Sequence, residues 1–169
     1  MLRNKSAAAL RVDHAGEYGA TRIYAGQLAV LKDEASIKEV EHMAAQEAAH
    51  LAAFNKILPE HGVRPTVLLP LWHVGGWLMG AVSAAFGPRA AMACTVAVEE
   101  VITAHYNEQL ANGSVSPILH STIAKFRDEE MEHHAIGLAN EAEATPLYAP
   151  LSAAIRSICR GAIWLSARL

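Results

Sequence analysis

Cysteine is almost missing from this sequence. Cys94 and Cys159 stand alone, with no C-x-x-C and no framework of spaced pairs. That excludes a disulfide scaffold, and two buried reduced thiols are the expectation. Aromatic residues are few, at 6%. Charge of one sign is not in excess: the formal net charge is −3, so no electrostatic reason points to nucleic acid. The stretch "MLRNKSAAALRVDH" has no apolar run long enough for a secretory signal and is too short for a transit peptide. The expectation is a chain that stays on the side where it was made, or one already trimmed. No G-x-G-x-x-G follows a strand-like run, so no dinucleotide-binding Rossmann site is expected. No segment alternates apolar and polar residues, so no sheet is expected either.

What remains is helical. Alanine, the best helix former, is frequent, and apolar residues make up 52% of 169 residues. One domain of that length can bury a substantial core. Glycine and proline divide the chain into six segments with helical periodicity. They run from about Ser6 to Leu31, from about Glu34 to Leu58, between Pro65 and Gly87, from after "GPR" to near the "NGSVSP" stretch (residues 112–117), onward to about Glu143, and from after "TPLYAP" to the C-terminus. Short connections between long helices imply antiparallel neighbours and hence a bundle.

The third segment has no Lys, Arg, Asp or Glu from Pro65 to Pro88. Its length would suffice to span a bilayer, but Pro70, Gly75, Gly76 and Gly80 interrupt it. The tight "GPR" turn ties it to a helix that carries polar chemistry. It reads as a helix packed along the bundle with more apolar surface than a soluble monomer needs. A membrane interface, a greasy ligand or a subunit contact would use that surface, and plain core packing is the simpler alternative. Trp72, Trp77 and Trp164 would suit a water–lipid boundary.

Three E-x-x-H strings occur: Glu39–His42, Glu47–His50 and Glu130–His133. Residues i and i+3 share a helix face, about 5–6 Å apart, so each pair is able to reach one metal ion. The first string lies in the charge-rich "KDEASIKEVEH" and reads as a solvated face. The other two lie among apolar residues, where unpartnered Glu and His are costly and a metal ion compensates them.

A repeat connects these strings to the front of the chain. "EYGATRIYAGQLA" (17–29) aligns without a gap on "EEVITAHYNEQLA" (99–111), pairing Glu17, Thr21, Tyr24, Gln27, Leu28 and Ala29 with Glu99, Thr103, Tyr106, Gln109, Leu110 and Ala111. Glu47 follows Glu17 by 30 residues, and Glu130 follows Glu99 by 31. The chain therefore holds one helix pair twice, about 6–58 and 88–143. Two such pairs supply Glu17, Glu47, His50, Glu99, Glu130 and His133, four Glu and two His. That is the ligand set of ferritin-like dinuclear carboxylate bundles. Carboxylates bridge two metals, and imidazoles suit iron. The expected fold is all-α: residues 1–169 as a single ferritin-like four-helix bundle with two additional apolar helices, about 66–87 and 147–167.

Other residues stay open. Tyr24 and Tyr106 lie two turns beyond Glu17 and Glu99, as channel lining, electron relay, or core residues with satisfied hydroxyls. His105, Asp13 and Asp128 are candidates to orient a ligand imidazole, and Tyr106 and His105 are the residues singled out for a catalytic part. His14 precedes Glu17 by three, but the repeat has Val96 there. Glu100, Glu129 and Glu132 adjoin proposed ligands, and the repeat selects Glu99 over Glu100.

"RVDHAGEYGATRIYAGQ", "VRPTVLLPLW", "AMACTVAVEE", "HYNEQL" and "KFRDEEMEHH" resemble the blocks of the demethoxyubiquinone hydroxylase family, di-iron monooxygenases of ubiquinone biosynthesis. The resemblance covers nearly the whole chain and implies the same six ligands. It implies two iron ions, dioxygen, and hydroxylation of the ring of a 2-polyprenyl-3-methyl-6-methoxy-1,4-benzoquinol, with NADH as the ultimate electron donor. It also implies a peripheral protein that meets the membrane without spanning it. The site would be the cytoplasmic face of a bacterial inner membrane, or the matrix face in a mitochondrion. The apolar helices would serve the polyprenyl tail, a second copy or a ubiquinone-biosynthesis partner, and Arg11, Arg22, Arg64 and Arg89 lipid headgroups. Iron oxidation and storage is the competing function, and a non-enzymatic lipid-binding bundle the third.

Overall fold

A computed structural model describes residues 4–112 and 117–169. Six α-helices and no strand occur among them: α1 (Asn4–Val30), α2 (Glu34–Glu60), α3 (Leu69–Ala85), α4 (Pro88–Ala111), α5 (Pro117–Ala139) and α6 (Tyr148–Ser166). The all-α reading is thus met. Residues 113–116 of the "NGSVSP" stretch lie outside the described residues.

The pattern of α2 explains its place. Its buried residues are Ser36, Val40, Met43, Glu47, His50, Phe54 and Leu58, spaced three or four apart in one inward stripe. Glu47 and His50 occupy positions on that stripe where an aliphatic side chain would ordinarily sit. Asp33 caps the helix: its carboxylate accepts from Ser36 N at 2.9 Å and from Ser36 Oγ at 2.7 Å. The bond holds the Asp33 pKa below its usual value.

α4 differs. Every residue from Ala90 to Glu99 is buried, so the helix has no solvent face there. It packs against α5, α6, α3 and α1. Small side chains (Ala90, Ala91, Ala93, Cys94, Ala97) let neighbours approach from all sides. α1 is the other central helix, against α2, α3, α4 and α6. The result is three layers of two helices: α2 and α5, then α1 and α4, then α3 and α6.

Gly76 and Gly80 of α3 are contact points rather than breaks. The helix runs unbroken from Leu69 to Ala85. A Cβ at Gly80 would lie 1.9 Å from Ile23 O, and one at Gly26 would lie 2.1 Å from Trp77 O. Backbone touches backbone between α1 and α3, and only glycine permits it. Gly87, at φ 107°, makes the turn into α4, with Pro88 opening that helix. α5 stops at Ala139, short of the expected Glu143, because Glu141 takes a left-handed conformation (φ 59°). A 3-10 turn over Ala142–Ala144 follows and sets Ala142 fully into the core.

The outer layer is apolar on its free side. Val67, Leu71, Val74, Leu78, Val82 and Phe86 of α3 and its flanks are exposed, as are Ile158 and Trp164 of α6. Between α3 and α6 lies an apolar groove of about 620 Å³. Its floor is α1 and α4, including Gly16 and Val98, the chain neighbours of Glu17 and Glu99. No described helix is long and apolar enough to cross a membrane. Three of the four arginines assigned to headgroups are engaged within the chain: Arg11 with Arg64 O and Ala167 O, Arg64 with Leu169 O, and Arg89 with Glu141.

Candidate metal centre

The inward stripes of α1, α2, α4 and α5 meet at mid-bundle. Glu17, Glu47, His50 and Glu130 each offer one ligand atom within 4.8 Å of the others, and so do Glu47, Glu99, Glu130 and His133. Glu47 and Glu130 belong to both groups. All six residues are at most 1% exposed. His50 Nδ1 lies 3.2 Å from Glu17 Oε2 and 3.3 Å from Glu130 Oε1. His133 Nδ1 lies 3.2 Å from both Glu47 Oε1 and Glu130 Oε2.

Among the described residues no Lys or Arg pairs with these four carboxyl groups, and two imidazoles lie between them. Both oxygens of Glu47, both of Glu130, Glu99 Oε2 and His133 Nδ1 lack a hydrogen-bond partner. Burial pushes the Glu47 and Glu99 pKa values well up, and the Glu130 carboxylate adds to the effect. Burial also raises Glu17, against the hydrogen bond with His50. For Glu130 burial pulls the same way, but His133 and His50 outweigh it and bring the pKa to about 2. For His50 burial would lower the pKa, but the Glu130 and Glu17 carboxylates beside it outweigh that and raise it to about 10. Packed anions at this depth cost several kcal/mol each unless cations neutralise them. The donor set is that of two divalent ions with oxygen and imidazole ligands, and the orphaned inward atoms fit such ions.

The surrounding bonds cross between the two repeats. Tyr24 of α1 donates to Glu99 Oε1 of α4 at 2.6 Å. Tyr106 of α4 donates to Glu17 Oε1 of α1. Both phenols are 1% exposed, and burial followed by the neighbouring carboxylates holds their pKa values well above 10. They are therefore permanent donors to the carboxylates. The outer nitrogens of the imidazoles are crossed likewise. His50 Nε2 meets Glu129 Oε2 of α5 at 2.8 Å, and His133 Nε2 meets Gln46 Oε1 of α2 at 2.8 Å.

Some sequence-based candidates fall elsewhere. Asp13 and His105 hold each other (Oδ1 to Nε2, 3.1 Å) rather than a ligand imidazole, with Gln109 Nε2 also donating to Asp13. Asp128 is exposed and paired with Arg127 at 2.7 Å, so the imidazole-orienting carboxylate is its neighbour Glu129. His14 is buried against Asn55 at 3.0 Å, outside both groups. His42 lies outside both groups, half exposed and 3.5 Å from Glu132. Gln46 is absent from the sequence-based candidates, and Gln27 enters them only through its pairing with Gln109 in the repeat. The repeat held a signal for the first, since Gln46 and Glu129 each precede the Glu of an E-x-x-H string.

Known proteins resemble the chain over nearly its full length. A family model described as "Ubiquinone biosynthesis protein COQ7" matches residues 4–166. The chain is 52% identical over 165 residues to the Homo sapiens "NADPH-dependent 3-demethoxyubiquinone 3-hydroxylase, mitochondrial", covering 95% of this chain and 76% of that one. It is 50% identical over 162 residues to the Rhodospirillum rubrum "3-demethoxyubiquinol 3-hydroxylase", with the same coverage of 95% and 76%. The Saccharomyces cerevisiae "5-demethoxyubiquinone hydroxylase, mitochondrial" is 42% identical over 178 residues, again covering 95% and 76%.

Proposed function

Since the chain belongs to the family of the ubiquinone biosynthesis protein COQ7, we propose that it hydroxylates the ring of a polyprenyl methoxy-benzoquinol on the way to ubiquinone. The observation that carries this reading is the pair of four-residue groups sharing Glu47 and Glu130. Glu17, Glu47, His50, Glu99, Glu130 and His133 would hold two iron ions. Bound there, the ions supply the redox chemistry that activates dioxygen for insertion of one oxygen atom into the ring.

The chain's own residues do the rest. Glu47 and Glu130, common to both groups, would serve both ions. Tyr24 and Tyr106 fix the rotamers of Glu99 and Glu17 by hydrogen bonds. Glu129 and Gln46 hold the outer nitrogens of His50 and His133 and turn Nδ1 of each ring inward. The encircling helices keep bulk water from the centre. The groove between α3 and α6 takes the polyprenyl tail, and the exposed apolar face of the same helices rests on the membrane surface. That would be the cytoplasmic face of a bacterial inner membrane or the matrix face in a mitochondrion. A reduced nicotinamide nucleotide is the ultimate electron donor. NADH is the sequence-based expectation, whereas the names of several relatives specify NADPH.

The test is iron-loaded protein supplied with a short-tailed demethoxyquinol analogue, dioxygen and either nucleotide. A product heavier by one oxygen atom, absent without iron, supports the proposal. Iron oxidation that turns over with no quinol product would favour the storage reading.

A further inference from the structure

The two halves of the centre sit on the repeated helix pair read from the sequence, so each outer contact has a counterpart. The Tyr24–Glu99 bond matches Tyr106–Glu17, and the Gln46–His133 bond matches Glu129–His50. Gln27 reaches Thr95 Oγ1 at 3.4 Å, and its counterpart Gln109 reaches Asp13. At two of these places the residue types differ. His50 is backed by a carboxylate and His133 by a neutral amide. Asp13 stands where the other repeat has Thr95. Both differences add acidic groups to the half built on Glu17 and His50.

We propose that the two metal positions are unequal by construction, the Glu17–His50 half binding a divalent ion more tightly than the Glu99–His133 half. This rests on the reading of the cluster as a metal centre. A carboxylate accepting the outer N–H of an imidazole makes the inner nitrogen a stronger donor. An amide orients the ring without adding charge. Glu129 is only 22% exposed, so its charge acts over 2.8 Å with little screening. Its other oxygen pairs with Lys125 Nζ at 3.3 Å, but that ammonium is 68% exposed and is screened by solvent. Glu132 approaches Gln46 Nε2 at 3.5 Å, and with 51% exposure it is screened as well. Glu129 and Gln46 are thus positioning residues that set the strength of an imidazole they do not share with the metal.

The test is anaerobic titration of metal-free protein with cobalt(II), followed by calorimetry and by the visible absorption of the bound ion. His133→Ala leaves the first half and His50→Ala the second. The expected result is that His133→Ala binds one ion at least about tenfold more tightly than His50→Ala, the scale at which outer partners of ligand imidazoles act. Glu129→Gln should weaken the tighter site by about 10–100-fold and leave the other in place. The swapped pair, Glu129→Gln with Gln46→Glu, should invert the order of the halves, which a merely structural role would not do. Circular dichroism verifies folding, and the swapped pair decides alone if the histidine variants do not fold. Halves of equal affinity, or an order that the swap leaves unchanged, overturn the inequality alone. Failure of the wild-type chain to bind cobalt or iron overturns the metal centre, and the inequality with it.

Discussion

On α2, Glu47 and His50 are buried on the inward stripe, whereas on α3 Val74 and Leu78 are 57% and 49% exposed. The inner bundle encloses charge, and the outer layer presents hydrocarbon. Both invert the ordinary distribution of side chains, in opposite directions. On the function proposed above, cations would complete the first and an apolar phase the second. The two are neighbours, since α1 and α4 carry Glu17 and Glu99 on one side and floor the apolar groove on the other.

The comparison breaks most sharply at its inner half. Glu130→Ala, or Glu47→Ala, removes a residue common to both groups and should abolish metal loading at one or both positions. Metal analysis of the purified protein would detect it. The outer half is tested by Val74→Glu with Leu78→Glu, both exposed, which should leave folding intact. Each large apolar side chain contributes about 1.5–3 kcal/mol when fully buried, so vesicle binding should fall by about tenfold or more per site. Sedimentation with lipid vesicles measures it.

Removal of metal should make stability depend on pH. Glu17, Glu47 and Glu99 have folded pKa values raised above 4.5, so their contribution is complete below that pH and is lost as pH rises through the folded values. His50, raised from 6.5 to about 10, adds loss in the same direction between those values. Glu130, lowered to about 2, acts oppositely but only below pH 4.5. The chelated protein should therefore melt at progressively lower temperature from pH 6.5 to 10, and the metal-loaded protein should resist this. A flat profile for the chelated protein would count against the buried carboxylate cluster.

Smaller effects sharpen the boundary between the layers. Gly80→Ala puts a methyl against Ile23 O and must force α3 from α1, costing about 1–3 kcal/mol as overpacking does. A chain of this length should lose about 2–4 °C in Tm per kcal/mol. Glu39→Ala, in the string that faces outward, should leave metal content and Tm unchanged.

Much of the inner half was legible because it obeys two short periods. The three-residue spacing of E-x-x-H puts both side chains on one helix face, and the duplication ties four helices to one centre. Asp33 before Glu34 and "GPR" at 87–89 likewise mark helix starts by local chemistry. What was not legible depends on partners distant in sequence. Asp128 and Glu129 are adjacent carboxylates, and only the rotation of α5 decides which meets His50. Gly76 and Gly80 read as interruptions because the backbone of α1, which they touch, lies more than fifty residues earlier. α5 ends four residues before the expected Glu143 because a left-handed glutamate leaves little trace in composition.

The crossing hydroxyls have a structural corollary. A lone hairpin of α1 and α2 would carry Tyr24 with no Glu99 to receive it, and Glu17 with no phenol to steady it. Two hairpins facing head to tail satisfy every such group at once. A half-length hairpin of this kind would therefore reach the same bonds only as a symmetric pair.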